Sequence, residues 1–132
     1  MAVLNPGDEV IIPTPYWGSY GDQVPMAEGV SVHVKGHQAN DFKVSVEQLE
    51  EARTEKTKVL VLNSPSNPTG MIYSKDELLA IGNWAVEHDI IILADDIYGR
   101  LVYKGGEFVP ISSLSEATRQ HQVVIIGVTN AY

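Results

Sequence analysis

Asp95 stands directly behind five apolar residues, Ile90-Ile91-Ile92-Leu93-Ala94. An acid so placed loses hydration and needs a cation opposite it. Tyr98, three residues on, can turn a phenol toward the same pocket. Asn67 lies in Asn63-Ser64-Pro65-Ser66-Asn67-Pro68-Thr69-Gly70, behind the apolar run Val59 to Leu62. Two prolines and a glycine exclude helix and central strand there, so the stretch is a loop at a strand's carboxyl end. Trp17, in Pro13-Thr14-Pro15-Tyr16-Trp17, offers a flat indole surface. Asn130 follows the last apolar run, Val123 to Ile126. Together these residues describe a slot for a flat heteroaromatic carrying a positive nitrogen and an oxygen acceptor. Each also has a plainer use taken singly: an N-cap, a packed ring, a surface anchor, a turn.

The elements that must position them are legible as alternating strands and helices. Glu9 to Ile12 reads as a short buried strand and Val30 to Val34 as a second, with a helix from Tyr16 or Gly18 to Val24 between them. Residues 1–4 read as the tail of a helix. Ser45 with Gln48, and Ser74 with Glu77, make capping boxes for helices reaching Arg53 and His88. In the second helix Leu78, Ile81 and Ala85 share one face. The unbroken run 90–94 reads as a strand buried on both faces. A short helix from Ser113 to Arg119 leads to the last strand. The fold class expected is therefore α/β, a mostly parallel sheet with crossover helices. Parallel strands share one carboxyl edge, so Trp17, Asn67, Asp95 and Asn130 are brought to one crevice.

Composition narrows the partners. The 132 residues hold 9 Lys+Arg against 17 Asp+Glu, a net charge of −8, which argues against nucleic acid or anionic membrane. The sequence contains no cysteine, so no disulfide framework and no thiolate chemistry. No metal-ligating cluster is read. The start, Met1-Ala2-Val3-Leu4-Asn5-Pro6, has no basic region and no long apolar run, so a cytoplasmic protein is expected. Neither GxGxxG nor GxxxxGK[ST] follows a strand, which removes the common nucleotide-binding folds.

Four ordered stretches carry a resemblance: Asn5-Pro6-Gly7-Asp8-Glu9-Val10, Pro13 to Tyr20, Asn63 to Gly70, and Ala94 to Tyr98. Read together they resemble the class I, fold-type I aminotransferases that use pyridoxal 5'-phosphate, in particular the bacterial aspartate aminotransferase subgroup. The resemblance implies that Trp17 stacks on the cofactor ring, that Asn67 and Tyr98 hydrogen-bond its phenolate oxygen, and that Asp95 pairs with its pyridinium nitrogen. It implies cis peptides before Pro15 and Pro68, and an amino acid and a 2-oxo acid as substrates. It also implies that residues 1–132 are part of the large, cofactor-binding domain, with the phosphate cradle and the small domain absent. The family's pattern has a Schiff-base lysine where this sequence has Asn130, so the chain is expected to be inactive. A non-catalytic structural or interaction module is the alternative. A partial sheet leaves open edges and uncovered apolar surface, so the chain is expected to self-associate, as a homo-oligomer, or to rearrange some strands.

Overall fold

Three central strands set the plan: β1 (Glu9–Thr14), β3 (Thr57–Asn63) and β4 (Ile91–Asp95). Their successive side chains point to opposite sides of the sheet, so each strand feeds two cores. The computed structural model describes residues 3–96 and 109–125. It also contains β2 (Val30–Lys35) and β5 (Gln122–Ile125), and the strand order is β2-β1-β3-β4-β5. Every pair in that sheet is parallel, as the sequence led us to expect.

One face packs against α2 (Val46–Ala52) and α3 (Lys75–Glu87), where Ile11, Leu60 and Ile92 meet Leu49, Leu78 and Ile81. Burying each such side chain contributes roughly 1.5–3 kcal/mol. The other face meets α1 (Ser19–Met26), where Val10, Ile12, Val59 and Val61 pack on Tyr20 and Val24. That helix is short, and Ile91 and Leu93 of β4 lie at the margin of its cluster, only partly buried. The run 90–94 is thus fully buried on the α3 face and only partly on the other, whereas its composition pointed to burial on both.

Both capping boxes form. Ser45 accepts from Gln48 N–H at 3.3 Å while the Gln48 side chain accepts from Ser45 N–H at 3.0 Å. Ser74 and Glu77 do the same at 3.2 and 2.7 Å. The remaining differences are local. Residues 3–4 are not helical, and Leu4 instead tucks into the α1-side core. The strand read as Glu9 to Ile12 continues through Pro13 to Thr14; its register with β3 ends at Ile11, so the proline interrupts nothing on that side. The helix expected from Ser113 splits into a 3-10 turn, Ile111–Ser113, and α4 (Glu116–Gln120). Ser115 accepts the Thr118 N–H at 3.1 Å and so takes the N-cap. Among the described residues no helix is long and apolar enough to cross a membrane.

Glu50 joins α2 to α3. It accepts from the buried Trp84 indole N–H at 2.8 Å and from Arg53 at 2.6 and 2.9 Å, with His88 Nε2 at 3.3 Å. The bonds from Arg53, then Trp84, hold the Glu50 carboxyl at about 2, well below its ordinary 4.5. A depressed acid stabilises the fold above its unfolded value and loses that contribution as pH falls. Thermal melts from pH 6 down to 2 should therefore show a falling limb below about 4.5, and Glu50→Gln should flatten it. A limb of equal steepness in both proteins would contradict this assignment.

Candidate functional site

Strand order reverses between β1 and β3: the chain goes to one side of β1 for β2 and to the other for β3. Connections leave such a junction in opposite directions and open a crevice at the carboxyl edge. A small cleft lies there, with Tyr16 and Tyr20 on the β1 side and Asn63, Ser66 and Asn67 on the β3 side. Phe42 and Lys43 close it from the segment after β2. Gly36 makes their approach possible, because a Cβ at that position would stand 2.1 Å from the Phe42 carbonyl oxygen. The segment then turns through two left-handed residues, Asp41 and Phe42, at φ 53° and 59°. Lys43 fastens it to the start of α3, pairing with Glu77 at 3.0 Å.

The three described candidate residues join one continuous path of contacts. Asp95 is the last residue of β4 rather than the first beyond it, and it is buried. The Tyr20 hydroxyl donates to Asp95 Oδ2. On the other side, Asn63 Nδ2 donates to the Asp95 carbonyl at 2.9 Å, and Asn63 Oδ1 accepts the Asn67 N–H at 2.7 Å. Trp17 meets Tyr20 edge-on, 5.8 Å between centroids, and remains 45% exposed. It therefore keeps indole surface open for another ring to cover. Tyr98 and Asn130 lie outside the described residues.

Cis peptides precede Pro15 and Pro68, and a third precedes Pro65. Tyr20 and Asn63 are functional candidates that residue types alone did not single out. Both stood in the four quoted stretches, Tyr20 closing the second and Asn63 opening the third. Their signal was position beside Trp17 and Asn67, not chemistry of their own.

The set suits a flat ring with a cationic nitrogen. Asn67 lines the cleft and offers an amide there. The buried acid Asp95 and the half-exposed indole of Trp17 stand outside its lining and are joined to it through the lining residues Tyr20 and Asn63. Asp96 is half-buried next to Asp95. Burial, then the Asp95 charge, pushes its carboxyl from the ordinary 3.8 up to about 6.

The parallel sheet thus ends, near its carboxyl edge, in an acid, an amide and an indole linked by contacts. The family model described as Aminotransferase class I and II matches residues 1–129, and the chain belongs to that family. It is 65% identical over 131 residues to the asparagine–oxo-acid transaminase of Streptococcus mutans, covering 99% of this chain and 33% of that protein. It is 51% identical over 130 residues to the aspartate aminotransferase of Bacillus subtilis, covering 98% and 33%. Among solved structures, the aspartate aminotransferase of Thermus thermophilus with maleate superposes with a TM-score of 0.87 at 41% identity, over 93% of this chain and 31% of that one. The aromatic aminotransferase of Pyrococcus horikoshii gives 0.90 at 36% identity, over 93% and 33%. The chain spans about a third of the length of these relatives.

Because folding favours the protonated form of Asp96, its contribution is fullest below 3.8 and is lost as pH rises through about 6. Asp96→Asn should raise the melting temperature at pH 7.5 and change it little at pH 3.5. An equal shift at both pH values would show that the effect is not ionic.

Proposed function

We propose that this chain carries the ring contacts of a pyridoxal 5'-phosphate aminotransferase. In the whole protein these contacts serve amino-group transfer between an amino acid, aspartate or asparagine, and a 2-oxo acid. Residues 1–132 are read as part of the cofactor-binding domain. Asp95 pairs with the ring nitrogen, Asn67 and Tyr98 hydrogen-bond the phenolate oxygen, and Trp17 covers one ring face. The observation that carries this reading is the buried Asp95 at the end of β4, held by Tyr20 on one side and linked through Asn63 to the Asn67 loop on the other.

When bound, pyridoxal phosphate supplies an electron-poor ring that spreads negative charge away from the substrate carbon. The protein's part is to hold and orient it. Asp95, turned by Tyr20, keeps a proton at the ring nitrogen. Asn67 fixes the opposite side of the ring, and Trp17 keeps water off its face.

Asn130 stands where the family's pattern has its Schiff-base lysine. The lone pair of a carboxamide nitrogen is delocalised into the carbonyl, so it neither condenses with an aldehyde nor carries a proton between carbons. On this reading the chain binds the ring without turning over. That residue equally supports a second reading, a non-catalytic structural or interaction module.

Equilibrium dialysis with pyridoxal phosphate separates the two. Saturable binding, weakened at least about tenfold in Asp95→Ala, is expected on the first reading, since removing a charge-assisted hydrogen bond costs on that order. Borohydride treatment followed by peptide mapping should find no adduct at a cleft lysine, and transamination should stay at background. Binding indifferent to Asp95→Ala would leave the second reading standing. We also infer a homo-oligomer, supported by the partly covered Ile91 and Leu93; light scattering should give at least twice the chain mass, and a clean monomer would refute it.

A further inference from the structure

Asn63 and Asp95 are register partners at the last rung of the β3–β4 ladder. Among the described residues the β3–β4 pairing goes no further than that rung. The Asn63 side chain continues the hydrogen bonding past this point. Its Nδ2 donates to the Asp95 carbonyl at 2.9 Å and its Oδ1 accepts the Asn67 N–H at 2.7 Å. A single planar amide thus touches the backbone of both Asp95 and Asn67, the two residues assigned above to the ring nitrogen and the phenolate oxygen. An amide group has fixed geometry, with its donor and acceptor on one rigid plane. It can therefore hold a distance, where a flexible side chain would only tether.

We propose that Asn63 is a positioning residue that sets the span between the Asp95 carboxylate and the Asn67 amide, and with it the size and tilt of the ring the slot accepts. This rests on the reading that the slot holds a pyridoxal ring. Asn63 need not touch that ring. Its donor end places Asp95 against the ring nitrogen, and its acceptor end places Asn67 against the phenolate oxygen. A serine or alanine at this position leaves both backbone groups to find water, and the two loops lose their common reference. An aspartate keeps the acceptor for the Asn67 N–H but has no proton to give the Asp95 carbonyl. It uncouples one end only.

That asymmetry supplies the test. Dissociation constants are measured by equilibrium dialysis on the full chain for pyridoxal phosphate, for its 3-deoxy analogue, which lacks the phenolate oxygen, and for its 1-deaza analogue, which lacks the ring nitrogen. The unsubstituted chain should prefer pyridoxal phosphate to either analogue by about tenfold, the worth of one good charge-assisted hydrogen bond. Asn63→Ala should reduce both preferences to within about threefold. Asn63→Asp should keep the preference over the 3-deoxy analogue and lose that over the 1-deaza analogue. A residue that only stabilised the fold would weaken all three ligands in proportion and leave the ratios alone; that result, or loss of the fold in both variants, overturns the proposal. If the unsubstituted chain does not tell the analogues apart, or if Asp95→Ala binds as well as it does, the reading of the slot falls and the positioning role with it. Ratios that respond to Asp95→Ala but not to either Asn63 variant remove the positioning role alone.

Discussion

Five strands running the same way leave all their carboxyl ends on one edge, and the site depends on that arrangement. Parallel pairing requires a crossover between every two strands, so the sheet is wrapped by helices and its loops divide into two sets. Those at the carboxyl edge are free to be irregular and polar, because the ladders below them already satisfy the strand backbones. The reversal of direction between β1 and β3 then parts two of these loops. Pro15 and Tyr16 go one way, Ser66 and Asn67 the other, and the cleft is what lies between. Asp95, on the neighbouring strand, is tied to two of its lining residues, Tyr20 and Asn63, because β3 and β4 end on the same rung.

Much of this was legible in the residues because it follows from local rules. Ser45 and Ser74 announced their helices through the glutamine and glutamate three positions on, and both boxes formed. The apolar runs before Asn63 and Asp95 fixed which ends of their strands these residues occupy. What stayed hidden depends on contacts between distant segments. Nothing in the spelling of Tyr20 says that its hydroxyl meets a carboxylate in a different strand. Nothing in Gly36 says that the Phe42 carbonyl lies where its side chain would be. The partial burial of Ile91 and Leu93 was likewise invisible, since it depends on what packs over that face rather than on how apolar those residues are. The helix read from Ser113 starts only after Ser115, whose hydroxyl found the Thr118 N–H, a choice that composition does not decide.

The acidic side chains divide by environment more than by type. Asp95 and Asp96 are neighbours in sequence, yet the first is buried with a phenol on its carboxylate and the second is only half-covered. Desolvation and the adjacent charge raise Asp96, while Glu50, at the far side of α3, is lowered by the donors around it. One acid thus opposes the fold near neutral pH and another supports it. The carboxyl edge tolerates the unfavourable one because the sheet beneath is held by two apolar layers that do not titrate.

The contact between Tyr20 and Asp95 also bears on how the chain is made. Its two ends are 75 residues apart, so a ribosome finishes the first roughly 4–15 s before it supplies the second. During that interval the aromatic cluster around Trp17 has left the exit tunnel with no acid to meet it. The crevice is consequently completed only when β4 is added beside β3. A pause in translation between those segments would prolong a state whose binding edge is half built.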